Sequence, residues 1–211
     1  MAGYHGCIVS IVVDPTPIIG VLALQGAFDV HAQRLAELGA VTRLVRKPED
    51  LDGLDAIVIP GGESTTFLKH LERAGFYDAL DAFVHRKPVF GTCAGCILLA
   101  REVLNPPQRS FGVLDATVER NAYGRQNDSA IREEVSTLPG GPLEAVYIRA
   151  PRLSQLGPGV EVLASRDGSP TLIRQGDLLA ATFHPELSND RRVHELFVDM
   201  VKSHMAAALP A

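Results

Sequence analysis

The sequence predicts an α/β domain in three layers, with a mostly parallel central sheet and an antiparallel extension. Three observations carry that expectation. Apolar runs alternate with helix-period segments through the first half of the chain, short strands with tight turns follow from about residue 111, and a long amphipathic segment closes the chain. Strand, crossover helix and strand in succession build a parallel sheet with both faces covered. At 211 residues, 46% of them apolar, the chain is long enough for one packed core and short for two.

The elements follow in order. IIGVLAL (18–24) reads as a strand and AFDVHAQRLAEL (27–38) as an amphipathic helix, with Val30, Leu35, Leu38 and the alanines inward and Asp29, Gln33, Arg34 and Glu37 outward. VTRLV (41–45) and DAIVIP (55–60) are strands, STTFLKHLERAG (64–75) and YDALDAFVHR (77–86) helices, and PVFGTC (88–93) a strand that runs into the helical AGCILLA (94–100). The second half, from FGVLDATVERN (111–121) through LEAVYIRAP (143–151) to 160–183, offers strands reversed at DG and QGD, and is expected to extend the same sheet antiparallel. Residues 124–142, GRQNDSAIREEVSTLPGGP, are polar and rich in breakers and read as a surface loop. RRVHELFVDMVKSHMAAAL (191–209) is the closing helix.

Charge and cysteine usage narrow the classes of function. The net charge is −5 and no Lys/Arg cluster exceeds a pair, so a nucleic-acid partner has no electrostatic support. The first apolar run, CIVSIVV, lacks a basic flank and stops at Asp14, Pro15 and Pro17, which fits neither a signal peptide nor a membrane span. Three cysteines argue against a disulfide framework and for a reducing compartment, so the expected location is the cytoplasm.

GTCAGC (91–96) is the first stretch that can carry chemistry. Gly91 to Gly95 has the form GxCxG at a strand-to-helix junction, the thiol counterpart of the GxSxG elbow, in which glycines permit a sharp turn that presents the central side chain. Cys93 then sits at a helix N-terminus, where unpaired N–H groups and the positive end of the dipole favour a thiolate. A CxxC redox pair shares the spacing, and two small core cysteines would also satisfy it. A metal site needs further ligands, and no second CxxC or HxxxH supplies them.

FHPEL (183–187) decides among these. It follows a strand-like run, and in an extended chain residues two apart share a face, so His184 and Glu186 become the base and orienter of a nucleophilic triad with Cys93. Parallel α/β folds place their sites at the carboxyl ends of strands, where both motifs fall. PGGEST (60–65) follows a strand as well. Its glycines allow close backbone approach, Ser64 is suited to cap the next helix, and a glycine N–H there could pair with that of Ala94 as an oxyanion hole.

The segments GVLALQGAFDVH, PGGESTT, GTCAGCILLA, VERNAYGRQNDS, YIRAP and FHPELSNDRRVH, in this order, resemble the glutaminase subunits of the two-component pyridoxal 5'-phosphate synthase, a family of class I triad glutamine amidotransferases. The resemblance runs from about Ile18 to the closing helix, which leaves 1–17 as an N-terminal extension and 18–208 as the glutaminase domain. It implies the flavodoxin-like class I amidotransferase fold and hydrolysis of L-glutamine to glutamate and ammonia. It also implies delivery of the ammonia to a synthase subunit with a (β/α)₈ barrel. No cofactor, metal, nucleic acid or membrane is implied. The family's triad falls on Cys93, His184 and Glu186, and its glutamine contacts on Gly62, Glu63, Ser64, Arg120, Ile148 and Arg149. The oxyanion hole falls on the N–H groups of Gly62 and Ala94, and Gln25 lies in the segment near that hole and the synthase interface. An arginine fork matches the substrate's α-carboxylate, and a carboxylate such as Glu63 its α-ammonium. The family usually carries an aliphatic residue where this chain has Cys96, which makes that cysteine a core substitution. The alternatives are a free-standing Cys-His-Glu hydrolase of γ-glutamyl substrates and a regulatory module without turnover.

Overall fold

The computed structural model of the chain describes residues 15–120, 122 and 130–208. The central sheet starts with β1 (Ile18–Leu22), β2 (Val41–Val45), β3 (Ala56–Ile59) and β4 (Val89–Thr92), joined by α1 (Phe28–Glu37), α2 (Ser64–Leu71) and α3 (Phe76–Val84). After β4 come the short α4 (Ala94–Leu99), β5 (Ala100–Leu104) and β6 (Leu114–Glu119), then β7 (Ala130–Ser136), β8 (Leu143–Tyr147), β9 (Arg152–Ser154), β10 (Glu161–Arg166), β11 (Ser169–Gln175) and β12 (Leu178–Ala181). The closing helix is α5 (Arg192–Ala208).

Nine strands pair in the order β2-β1-β3-β4-β12-β11-β10-β7-β8. The pairings from β2 to β12 are parallel, and those from β12 to β8 antiparallel. β3 and β4 are buried throughout, as strands covered on both faces must be. Period-two alternation sends Ile19, Val21, Val58 and Phe90 to one face, against Leu35 of α1 and Phe197 and Val201 of α5. Leu22, Ile57, Ile59 and Val89 face the other way, against Phe67 of α2, Leu80 of α3 and Leu98 of α4. The result is a three-layer α/β domain, the expected fold class. No helix among the described residues is long and apolar enough to cross a membrane.

Three expectations change. β6 does not join the main sheet: with β5 and β9 it forms a separate three-stranded sheet. The 124–142 stretch is not all loop, because residues 130–136 form β7, paired with both β8 and β10. Only Glu134 of β7 is buried, so its composition looks like that of a loop although its backbone hydrogen bonds make it a strand. The helix read over 94–100 is cut short at Leu99, where Ala100 turns extended and opens β5. The expected extension over 1–17, apart from its last three residues, and most of VERNAYGRQNDS after Arg120 lie outside the described residues.

Candidate active site

β3, β4 and β12 are parallel neighbours with β4 in the middle, so the chain leaves all three at the same edge. β3 delivers Pro60–Glu63, β4 delivers Cys93, and β12 leads to His184. Cys93 is held by its N–H to Ala181 O (2.9 Å), which ties the elbow to β12. Its backbone sits at φ 47, ψ −101, a left-handed conformation that a side chain adopts only where the surroundings enforce it. The enforcement comes from Gly95: a Cβ there would lie 1.9 Å from Ile59 O, so only glycine lets the first turn of α4 press onto the end of β3.

His184 donates its backbone N–H to Val146 O (2.8 Å), which brings the end of β8 to the site although β8 is last in the strand order. Its Nδ1 lies 2.8 Å from Glu186 Oε1. The pair meets by a different route from the one expected. Residues 185–187 form a single 3-10 turn, and that turn, rather than strand alternation, folds the carboxylate back under the imidazole. Both groups are buried, His184 at 8% exposure and Glu186 at 1%. Burial alone would pull the imidazolium's pKa down. Hydrogen bonds to Cys93 and Glu186, and their negative charges, outweigh it and raise His184 to about 10. Burial would likewise push Glu186 up, but charge and hydrogen bonding from His31 and His184 hold it well below the usual carboxylate range.

A cavity of about 170 Å³ opens over Cys93 and His184. It is small beside the ~300–1,000 Å³ of pockets for drug-sized ligands, which suits a single amino acid. Gly62, Glu63 and Ser64 form one wall, Arg120, Ile148 and Arg149 another, and Ile97 and Pro151 complete it. The site residues read from the sequence therefore converge, apart from three that stand behind the lining. Glu186 lies beneath His184, Ala94 is the first residue of α4, and Gln25 braces the β3 loop from outside. Gln25 donates to Glu63 O (2.6 Å) and accepts from Glu63 N (3.3 Å), and its side chain fills the space that a Cβ on Gly62 would need.

Glu63 and Ser64 differ from expectation. The N-cap of α2 is Glu63, whose carboxylate accepts from Thr65 N (3.1 Å) and Thr66 N (2.8 Å), while Ser64 is already helical and donates through Oγ to Gln108 Oε1 (2.8 Å). Glu63 accepts from residues two and three ahead, the ordinary offset of an N-cap, because the helix starts one residue earlier than expected. Burial would raise the Glu63 carboxyl, but bonds from Thr65 and Thr66 bring it down to about 2. Arg120 Nη2 reaches the same carboxylate at 3.4 Å, and its Nη1 is buried without a partner among the described residues. Arg149 projects from a left-handed residue (φ 48) just past β8.

Two buried residues of the site have no role in the sequence reading, although the segments GVLALQGAFDVH and FHPELSNDRRVH end on them. His31, fully buried on α1, lies 3.2 Å from Glu186 Oε2, and His194 of α5 lies behind it, with its Nε2 3.0 Å from His31 Nδ1. Helical spacing places His31 beside Leu35 on the inward face. That is the one sequence signal for it, and hydropathy hides the signal.

The SNO glutamine amidotransferase family model matches residues 21–203. The chain is 62% identical over 185 residues to a pyridoxal 5'-phosphate synthase subunit PdxT of Koribacter versatilis, covering 88% of this chain and 96% of that one. It is 51% identical to the protein of the same name from Solibacter usitatus, over 85% of this chain and 97% of the other. Among solved structures, one described as a glutamine amidotransferase superposes with a TM-score of 0.80 at 46% identity, over 87% of this chain and 98% of that one.

Proposed function

This chain belongs to the SNO glutamine amidotransferase family, and from that premise we propose that Cys93, His184 and Glu186 hydrolyse L-glutamine to glutamate and ammonia for a pyridoxal 5'-phosphate synthase. One observation carries the assignment: the hydrogen-bonded Cys93–His184–Glu186 chain opens into the same small cavity as Gly62, Arg120 and Arg149.

The Cys93 sulfur attacks the side-chain amide carbon of glutamine, and the carbonyl oxygen takes up the negative charge. The Gly62 and Ala94 N–H groups receive that oxyanion, and Ala94, as the first residue of α4, has no helical acceptor for its N–H. His184 gives its proton to the departing nitrogen, so ammonia leaves and a γ-glutamyl thioester remains on Cys93. Water then attacks the thioester, His184 takes its proton, and glutamate leaves as the thiolate is restored. Glu186 fixes the imidazole with Nδ1–H toward itself and Nε2 toward sulfur. Arg120 and Arg149 hold the substrate's α-carboxylate; the Nη1 of Arg120, which has no partner among the described residues, supports this. Because its carboxylate already caps α2, Glu63 offers the α-ammonium its remaining oxygen lone pairs, together with Ile148 O and Ser64 nearby.

The partner is a synthase subunit built as a (β/α)₈ barrel, with no nucleic acid, membrane or cofactor involved, and the setting is the cytoplasm. Two free thiols three residues apart, Cys93 and Cys96, support a reducing compartment. Residues 18–208 form the glutaminase domain. Gln25 senses docking, because it holds the loop that carries one oxyanion donor. Ammonia release from glutamine, measured with and without the synthase, tests the reading. The wild-type chain is expected to turn over and to be stimulated by the partner, and Cys93→Ala to be inert. Turnover that survives in Cys93→Ala refutes the assignment.

A further inference from the structure

Glu186 has two oxygens, and the triad uses one. Oε1 takes the Nδ1–H of His184, while Oε2 faces away from the catalytic ring into a fully buried space between α1 and α5. A carboxylate oxygen in such a place needs a donor, because a buried charge without a partner is strongly destabilising. His31 Nε2 is 3.2 Å from Oε2 and 3.3 Å from Thr92 Oγ1, with its hydrogen better aligned to the hydroxyl. Oε2 makes no hydrogen bond of good geometry among the described residues, and His31 Nε2 is the donor group recorded beside it.

The hydrogen on His31 Nε2 can be assigned. An unprotonated His31 Nε2 would set its lone pair against the carboxylate, so Nε2 carries the hydrogen, shared between Oε2 and Thr92. His31 Nδ1 lies 3.0 Å from His194 Nε2: a neutral His31 accepts that nitrogen's hydrogen there, and a charged one donates to it. Burial and the charge of the neighbouring His31 hold His194 down to about 3, so His194 is neutral and can take either part. Phe90 confines both rings, with centroids 6.0 Å from His31 and 5.8 Å from His194. In both states the N–H on His31 Nε2 stands on the Glu186 side, and His194 fixes the ring that carries it.

We propose that His31, itself oriented by His194, is a positioning residue that pins the second oxygen of Glu186 and so keeps the carboxylate aimed at His184. The inference rests on the triad reading above and adds to it a support assembled from two helices far apart in sequence. The other titratable or charged groups around Glu186 are His184 on its own turn, Cys93 across that imidazole, Arg34 of α1, which donates to Ser188 O, and Glu144 of β8, which accepts from Ser188 Oγ. None of them is recorded at Oε2, so removing His31 takes away the donor group that stands beside that oxygen.

The test uses the full-length chain with its synthase and compares His31→Leu with His31→Gln. Leucine removes the donor, while glutamine keeps an N–H near the same place. His31→Leu is expected to lower kcat by roughly ten- to a hundredfold, as sub-ångström to ångström displacement of a base does. It is also expected to leave KM for glutamine within about twofold. His31→Gln is expected to recover most of the rate. Equal defects in the two variants, or a raised KM with kcat unchanged in His31→Leu, overturn the proposal. Should His31→Leu not fold, long-range ¹H–¹⁵N spectra of histidine-labelled wild type decide: a proton on His31 Nε2 is expected, and its absence overturns the proposal. The spectra do not depend on turnover, so activity surviving in Cys93→Ala would sink the triad reading without being mistaken for a failure at His31.

Discussion

Gly61→Ala is the most direct probe of how tightly the site is built. A Cβ on Gly61 would lie 2.3 Å from His184 Cε1, 3.0 Å from its Nδ1 and 3.3 Å from Cys93 Cβ. Carbon atoms in good contact sit ~3.5–4.0 Å apart, so the imidazole must retreat by more than about 1 Å or the loop must move out by as much. The ring has little room to retreat, because its Nδ1 is hydrogen-bonded to Glu186 and its backbone N–H is bonded to β8. The loop is no freer: Gly61 O lies 1.9 Å from where a Cβ on Gly26 would be, so the two loops already touch backbone to backbone. Displacing a catalytic base by about 1 Å costs on the order of 10²-fold in rate, while overpacking costs about 1–3 kcal/mol. The expected result is a folded protein whose kcat for ammonia release falls about a hundredfold. Gly159→Ala is the control, since a Cβ there meets nothing within 4 Å and the change should leave kcat and the urea midpoint nearly unchanged. A Gly61→Ala enzyme with kcat within threefold of wild type would refute the claim that contact at His184 sets this glycine.

The remaining expectations can be checked with standard assays. Cys96 is fully buried and burial pushes its thiol well up, so a glutamine-mimicking electrophile should modify Cys93 alone by peptide mass mapping, and Cys96→Leu should keep kcat within about twofold. His184 is raised from 6.5 to about 10, so its contribution to stability is fully present below pH 6.5 and is lost as pH rises through about 10. Urea midpoints from pH 6 to 10.5 should therefore fall more steeply for wild type than for His184→Gln, and parallel slopes would contradict the assignment. Glu63→Ala removes the cap of α2 and should cost about 1 kcal/mol in urea titrations, with a raised KM for glutamine as Arg120 loses its neighbour. Gln25→Ala should lower the synthase-stimulated rate more than the basal one in a titration of the partner, and equal losses would make Gln25 a structural brace only.

Much of the fold was legible because its signals are local. Strands such as AIVI and VFGT, buried on both faces, must be continuous apolar runs, and the helices between them must be one-sided. β7 was not legible, since Ile131 and Val135 face outward and the one buried residue, Glu134, is a carboxylate that accepts hydrogen bonds from Tyr147 and Thr171. Polarity alone cannot separate such a strand from a loop. The small sheet of β5, β6 and β9 was hidden for another reason: strand pairing is long-range, and the sequence of β6 fits either sheet.

The site divides along the same line. Residues whose chemistry depends on a turn were readable, because glycines mark the turn: Gly95 lets α4 start against Ile59, and the Gly61–Gly62 pair lets the β3 loop approach His184 and Gln25. The role of His31 and His194 was not readable, although both stand in segments that carry the family resemblance, because their partners are 155 and 163 residues away in Glu186 and His31, and a histidine on a helix face carries no local mark of what it meets. Of these two, His31 faces the oxygen of Glu186 that the triad leaves over, and His194 stands behind it. Local motifs thus describe the side of the site that meets substrate, while α1 and α5 supply the side that meets the core. A chain that kept Cys93, His184, Glu186 and their glycine turns but carried an apolar residue in place of the His31 that ends GVLALQGAFDVH would still show the whole triad, with a carboxylate free to turn away from its histidine.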